Sequence, residues 1–420
     1  MVVELGIGLV GAGNIGSGVV EIILKNAALI EKRTGVRLIL ARVCDKNSLC
    51  VEKFGVSKSI FTSDYKELIA DKKVNVVVEL IGGYEPAHTV IVDALNAKKH
   101  VVTANKAVIA KFGYELFELA QNKGVNILFE AAVGGCIPII RTIEESYSSD
   151  KIKCVRGILN GTTNFILTKM SAGMEYADAL KKAQELGFAE ADPSFDVEGK
   201  DAAQKATILA SLAFDAKIEG GPFVCGITSL KKADMDFASE IGFVIKLLAV
   251  AKKRAEGVEL RVHPVMVPKS HPFANVSNEI NAVALSSENT GDIFLSGRGA
   301  GKLPTATVVV TDLIEMGSRV RVAQRYFEKI KLIDFGESEF KYYLRLGVLD
   351  KPGVLAAIGK VLGDNGVSIN SCIQKGAGME VVPIVIVTHL AKEKQMSKAL
   401  IELKKLSVVK EAELIRIEEF

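Results

Sequence analysis

From the start of the chain to about residue 150, short apolar runs alternate with longer stretches whose apolar residues recur at helical spacing. The runs Leu5–Val10, Arg37–Cys44, Val74–Leu80, His100–Thr103 and Asn126–Glu130 have strand length, and strands alternating with helices predict a parallel α/β sheet. Beyond residue 150 the pattern is mixed: a strand at Cys154–Leu159, a helical stretch over 201–214 and strands near Val258–Val267 predict an α+β domain. Residues 329–340 lose periodicity around Gly336-Glu-Ser-Glu339, which reads as a linker. There follow a strand at Lys341–Val348, a Pro352-Gly353 turn opening a helix, and a stop at Asp364-Asn365-Gly366. Strands Val367–Gln374 and Met379–Val387 then flank a Gly376-Ala-Gly378 turn before a last helix and strand. That order, βαββαβ, predicts a ferredoxin-like module. The expected organisation is a Rossmann-type doubly wound sheet over 1–150, completed by about 300–328, a second α+β domain over 151–300, and a ferredoxin-like domain over 341–420.

Composition narrows the class of protein. The 420 residues are 49% hydrophobic and 25% charged, which is the balance of a folded chain of two to four domains. With 53 basic against 50 acidic residues and no long like-charged block, nothing marks a nucleic-acid or anionic-membrane surface. Small-molecule partners are expected. The six cysteines, Cys44, Cys50, Cys136, Cys154, Cys225 and Cys372, form no C-x-x-C pair, and read as thiols of a reducing compartment. The N-terminus has no basic n-region, and no apolar run reaches the roughly 20 residues needed to span a bilayer, so a cytoplasmic location is expected.

The first strand runs into Gly11-Ala-Gly13-Asn-Ile-Gly16 and then a helical run from Ser17. Glycines there let the backbone approach a pyrophosphate, whose charge meets the free amides of a helix N-terminus. Asp45, after Val43-Cys44, stands where an acid accepts from a ribose 2′-hydroxyl and repels a 2′-phosphate. This favours NAD, although Arg42 and Lys46 beside it suit a phosphate, and a turn-capping role for Asp45 is equally compatible with its position. The fourth strand, His100–Thr103, leads through Ala104-Asn105 to Lys106, a lysine at the carboxyl edge of the sheet, where open α/β folds bind ligands; a solvent-exposed lysine opening a helix fits the position equally.

Within the second region, Asp201 and Lys205 are four residues apart on one helix face, among Ala202, Ala203, Ala206, Ile208, Leu209 and Ala210. Such a helix is packed rather than solvated, and a lysine held beside a carboxylate is able to pass a proton to an oxygen gaining charge. From Ala183 to Lys205 the sequence reads A-x3-G-F-A-E-A-D-P-x2-D-x2-G-x-D-x3-K, which resembles the signature of the homoserine dehydrogenase family. The fingerprint, Thr103-Ala-Asn-Lys106, Glu130-Ala-Ala-Val-Gly-Gly-Cys-Ile-Pro138, Leu159-Asn-Gly-Thr-Thr-Asn164 and Gly299-Ala-Gly301-Lys-Leu-Pro-Thr-Ala306 are similar to that family in order and spacing. Asp350-Lys-Pro352-Gly353-Val-Leu with Asn370 resembles an ACT domain, and the chain resembles members without an aspartate kinase half.

The resemblance implies NAD(P)H-dependent reduction of L-aspartate 4-semialdehyde to L-homoserine. It places Glu190 and Asp201 on the substrate with Asp196 in support, Lys205 as proton donor and Lys106 as a second cation. Cofactor contacts fall to Gly11, Gly13, Asn14, Ile15, Gly16, Asp45, Ile81, Gly82, Lys106, Asn160, Gly187 and Gly301. Glu130, Val133, Gly135 and Ile137 match a monovalent cation site, usually sodium, whose oxygen ligands suit a hard ion. An amino-acid effector, threonine as pathway product, would bind at Pro352, Gly353 and Asn370, and a homodimer or homotetramer is implied.

Two other readings remain. A phosphorylating semialdehyde dehydrogenase needs a thiolate with a base beside it, and Cys136 is the only tempting nucleophile. A non-catalytic amino-acid sensor would keep the ACT module and leave the dehydrogenase half inert. The histidines His88, His100, His263, His271 and His389 show no metal-ligand spacing.

Overall fold

The computed structural model describes residues 2–48, 55–318, 325–374 and 380–420. Cys50, the Gly376-Ala-Gly378 turn and Met379 lie outside the described residues. The chain divides into two compact units, one of Met1–Val155, Gln204–Glu219 and Asn281–Ile330, the other of Arg156–Ala203, Gly220–Ile280 and Lys331–Phe420.

In the first unit six parallel strands, β1 (Val3–Val10), β2 (Val36–Cys44), β3 (Phe61–Thr62), β4 (Val76–Glu79), β5 (His100–Thr103) and β6 (Ile127–Leu128), run in the order 3-2-1-4-5-6. This is the doubly wound arrangement the alternating pattern predicts, with its reversal of winding between β1 and β4. Leu5, Ile7 and Leu9 of β1 join Val76 and Val78 of β4 in a core covered by Val19, Val20 and Ile23 of helix α1 (Asn14–Thr34). Full burial of each such side chain stabilises the unit by about 1.5–3 kcal/mol. Helix α1 stops at Gly35, whose left-handed backbone returns its amide to the Glu31 carbonyl at 2.9 Å, and Lys32 and Arg33 complement the negative end of the helix dipole. Strand β6 is shorter than the Asn126–Glu130 run suggests. Glu130 instead opens a 3-10 turn, because its amide is drawn to the buried Asp312 carboxylate at 3.1 Å.

In the second unit antiparallel strands Phe243–Arg254 and Gly257–Pro268 pair along their whole length. The C-terminal module has the predicted βαββαβ order: Glu339–Leu349, helix Val354–Asp364, Ile369–Gln374, Val381–Thr388, helix Glu393–Leu403 and Val409–Ile417. Its sheet places the last strand beside the first, then Val381–Thr388 and Ile369–Gln374. The last strand also pairs in parallel with Gly257–Pro268, through Val265 with Arg416 and Met266 with Ile417, so the module and the long hairpin of this unit share one sheet.

The segment 329–340, read from the sequence as a linker without clear period, carries local structure of its own. Strand Glu328–Lys331 pairs with Ala216–Glu219, a 3-10 turn covers Phe335–Glu337, and the Phe335 ring stacks on Phe223 at 3.7 Å. Its apolar residues anchor in separate places, which hides any regular period.

Candidate active site

At the carboxyl edge of β1 the chain turns through Gly11, whose φ of 95° is in the left-handed region, and enters α1. A Cβ on Gly16 would sit 2.0 Å from the Gly11 carbonyl oxygen, whereas one on Gly13 would meet no atom within 4 Å. The turn is therefore closed on its protein side and open at Gly13. No side chain caps α1 and no acid occupies its first turn, which leaves its amides to an outside anion. Asn14 is exposed and Ile15 half-buried beside this opening. The residues fit a dinucleotide pyrophosphate.

Asp45 follows β2 and accepts from the Ala12 amide at 2.6 Å and from the Asn47 amide at 2.9 Å. It caps a turn and, in the same act, ties the fingerprint to the end of β2. Ile81 and Gly82, both exposed, follow β4 in a loop shaped by Glu79. Glu79 is wholly buried, accepts from the Ile81 amide at 2.7 Å and the Gly82 amide at 3.3 Å, and receives the Thr103 hydroxyl at 2.7 Å. It binds the ends of β4 and β5 together at the switch of winding. The sequence reading missed it; an acid closing the all-apolar run Val76-Val-Val-Glu79 is the signal that marks it.

Lys106 is the first residue of helix Lys106–Lys123, capped by the Asn105 side chain, whose Oδ1 accepts the Val108 amide at 3.2 Å. A cation at a helix N-terminus opposes the dipole, so this half-buried lysine is placed against the helix's own preference. Gly301 lies just before helix Lys302–Ser318 with a φ of 123°.

The loop carrying Val133, Gly135 and Ile137 is buried, and Gly134 and Gly135 both have left-handed backbones. Glu130 is 4% exposed and accepts from the Ile140 amide at 2.9 Å and the Arg141 amide at 2.8 Å. Burial pushes its carboxyl up to about 7 against the pull of those two amides. A buried carboxylate beside a carbonyl-rich loop fits a hard monovalent cation. Arg141 also reaches Asp312 at 2.8 Å, a partner the sequence reading did not find. Among the described residues no three His, Cys, Asp or Glu side chains are grouped for a metal.

In the second unit Asn160 caps helix Gly161–Ser171, its side-chain oxygen accepting the Thr163 amide at 2.8 Å. Its amide nitrogen donates to Asp196 Oδ1 at 2.7 Å and Asp201 Oδ2 at 2.8 Å. Three of the predicted residues thus form one cluster, with two carboxylates on a single nitrogen, an anionic corner suited to an ammonium group. Glu190 is exposed; its carbonyl receives Gln184 Nε2 at 3.1 Å, and its carboxylate bonds to no described residue. Gly187 is exposed with a φ of 75°, two residues before the buried Ala189. Helix Lys200–Phe214 begins in this unit with Asp201, 2% exposed in its first turn, and the half-buried Lys205 follows one turn later.

Elsewhere in the second unit, Gly353 has a φ of 86° and opens helix Val354–Asp364 after the exposed Pro352. Asn370, also exposed, lies at the break in register between Ile369 and Ser371. Cys136 is exposed, and its thiol bonds to no described residue, so the base that a thiolate mechanism needs is not supplied.

Known proteins resemble this chain along its length. Family models match as homoserine dehydrogenase NAD binding domain over residues 11–130, homoserine dehydrogenase over 138–314 and ACT domain over 342–408. The homoserine dehydrogenase of Neisseria gonorrhoeae is 40% identical over 427 residues, covering 98% of each chain. That of Bacillus subtilis is 40% identical over 418 residues, covering 96% of each. A crystal structure of a homoserine dehydrogenase from Thiobacillus denitrificans superposes with a TM-score of 0.91 at 38% identity, over 99% of this chain and 98% of that one. A hyperthermophilic archaeal homoserine dehydrogenase, solved in complex with NADPH, superposes with a TM-score of 0.64 at 28% identity, over 74% of this chain and 97% of that one. With a pyrophosphate-shaped turn, a carboxylate pair held by one Asn160 nitrogen, a lysine one turn after Asp201, and relatives along its whole length, the chain belongs to the homoserine dehydrogenase family, oxidoreductases that act on a CH–OH group with NAD(P).

Proposed function

We propose that the chain reduces L-aspartate 4-semialdehyde to L-homoserine, reversibly, with the residues named above in definite roles. Asp201 and Glu190 hold the substrate, and Asp196 supports Asp201 through the shared Asn160 amide. A dinucleotide whose pyrophosphate lies on the Gly11–Gly16 turn would supply the hydride for the aldehyde carbon from its nicotinamide. Lys205 donates the proton to the oxygen that gains charge, and Lys106 is the second cation, orienting the substrate or the relay. The observation that carries this reading is the bonding of Asp196 and Asp201 to one Asn160 nitrogen, one helical turn ahead of Lys205. Asp45, with its charge at the end of β2, favours NAD, while Arg42 and Lys46 leave NADP as a competent alternative. Glu130, Val133, Gly135 and Ile137 would hold sodium, whose charge would keep the Glu130 carboxylate ionised in its buried loop.

The ACT module binds an amino-acid effector at Pro352, Gly353 and Asn370, with threonine as the candidate. An effector acts only by preferring one conformation or assembly over another, and paired modules of a homodimer or homotetramer would provide the alternatives. Among the described residues no helix is long and apolar enough to cross a membrane, which accords with a cytoplasmic enzyme. Homoserine oxidation, followed by nicotinamide absorbance with NAD and NADP side by side, with and without threonine, is the test. Turnover is expected without added phosphate, and Lys205→Met is expected to lose it. Near-normal turnover in that variant, with loss in Lys106→Met, would reverse the lysine roles. No turnover with either cofactor, in folded protein that binds threonine, would favour the sensor.

A further inference from the structure

Lys246, in strand Phe243–Arg254, is only 4% exposed, and among the described residues no carboxylate pairs with it. Its ammonium donates to the Val276 carbonyl at 2.6 Å and to Asn164 Oδ1 at 3.2 Å. Both acceptors are neutral. A buried charge with neutral partners is costly, and replacing one with an apolar side chain of similar shape is often neutral or stabilising. Stability alone therefore does not account for a lysine here.

The two acceptors belong to one construction. Asn164, in the first turn of helix Gly161–Ser171, sends its amide nitrogen to the Val276, Asn278 and Ile280 carbonyls at 3.2, 2.9 and 3.1 Å. That amide binds the loop 276–280 around the turn, with Asn278 held at a left-handed φ of 57° and its amide on the Thr168 hydroxyl at 3.0 Å. Lys246 orients the carboxamide by occupying its oxygen and shares the Val276 carbonyl with it. At the start of the same turn stands Asn160, bound to Thr163 at both amide and hydroxyl and presenting its nitrogen to Asp196 and Asp201. The turn is gripped from behind by Lys246 and holds the carboxylates in front.

We propose that Lys246 is a positioning residue for the substrate-holding carboxylates, acting through Asn164 to fix the helix turn whose cap, Asn160, carries Asp196 and Asp201. This rests on the reading that those carboxylates bind substrate. The test compares the full-length wild type with Lys246→Met, Lys246→Gln and Asp201→Asn in homoserine oxidation, nicotinamide-cofactor titration and thermal melting. Lys246→Met is expected to melt at or above the wild-type temperature and to bind cofactor within about twofold, yet to lose at least about tenfold in kcat/KM for homoserine, mostly through KM. Lys246→Gln, a neutral donor, is expected to regain most of that loss. Asn164→Asp keeps an acceptor for the ammonium but removes the three donations to the loop; it is expected to lose kcat/KM similarly and carries the test if Lys246→Met does not fold. Retention of kcat/KM within about threefold in Lys246→Met, or a joint fall in cofactor affinity, melting temperature and activity, overturns the proposal. If Asp201→Asn keeps wild-type kcat/KM, the substrate-site reading itself fails, whatever Lys246→Met does.

Discussion

Replacement of Asp234 by alanine tests how firmly the C-terminal module is tied to the rest of its unit. Asp234 is wholly buried in helix Lys232–Glu240 and accepts from Arg345 Nε at 2.6 Å and Nη2 at 3.2 Å. It also receives the Tyr343 hydroxyl at 3.4 Å and the Lys231 amide at 2.9 Å. Arg345 and Tyr343 lie on the first strand of the module, so one carboxylate binds that strand to the helix. In Asp234→Ala the guanidinium, 6% exposed, keeps only Glu411 at 3.3 Å, a half-exposed partner already shared with Lys231 at 2.8 Å. A buried charge left wholly uncompensated costs about 3–5 kcal/mol; with Glu411 still in place and Glu413 nearby, a loss of about 2–4 kcal/mol is expected, a large part of the 5–15 kcal/mol typical of a domain. Urea unfolding, followed by far-UV circular dichroism and by fluorescence of the tyrosines in this tryptophan-free chain, reads the loss as a lower midpoint. The partner experiment removes both charges. Asp234→Leu with Arg345→Met is expected to return to within about 1 kcal/mol of wild type, because apolar groups replace an ion pair whose desolvation offsets its attraction. A loss below about 1 kcal/mol in Asp234→Ala, or a double variant no better than the single one, would refute the reasoning.

Three further outcomes are expected. Gly16→Ala puts a Cβ 2.0 Å from the Gly11 oxygen, so the turn must open, and a cost of about 1–3 kcal/mol should appear as roughly 5- to 150-fold loss of NADPH affinity in a fluorescence titration; unchanged affinity would remove the turn from the cofactor site. Asn160→Ala withdraws the donor shared by Asp196 and Asp201, and at about 1.5–3 kcal/mol for bonds to charged groups kcat/KM for homoserine should fall about 10- to 100-fold. Cofactor affinity should change far less, and equal loss of both would count against the assignment. Burial holds the Lys246 ammonium down at about 8, below its ordinary 10.5, so the native chain binds fewer protons than the unfolded one between those values. Stability from this group is lowest below pH 8 and rises toward 10.5, and Lys246→Met should remove about 3 kcal/mol of that rise in urea midpoints measured against pH; parallel profiles for the two proteins would contradict it.

Much of the molecule is determined locally and is legible in the sequence. The strands of the parallel sheet follow from apolar runs between helical stretches, and His100–Thr103 is bounded by the structure where the pattern bounds it. The βαββαβ order follows from turn chemistry: Pro352-Gly353 opens helix Val354–Asp364 and Asp364-Asn365-Gly366 ends it. The Gly11–Gly16 turn is legible for the same reason, since its geometry depends on a few adjacent residues and their backbone freedom. Asp201 and Lys205 share a helix face by spacing alone.

Tertiary structure decided what depends on partners far apart in the chain. Glu79 is unremarkable at the end of a strand until the amides of Ile81 and Gly82 and the hydroxyl of Thr103 converge on it. Nothing local marks Glu130 as joined to Arg141 and Asp312, or Asn160 as the donor common to two carboxylates 36 and 41 residues away. The stretch around Phe335 loses its period because Phe335 stacks on the distant Phe223 and meets Phe340 beside His263, a cluster no window of sequence contains. The last strand joins the sheet of the substrate region through Arg416 and Ile417 because an edge presented by Gly257–Pro268 is free to pair, and pairing between distant strands is governed by register and burial in the folded chain. Lys246 shows the same division: the sequence offers a lysine within an apolar run, and only the folded loop 276–280 and the Asn164 side chain make its burial intelligible.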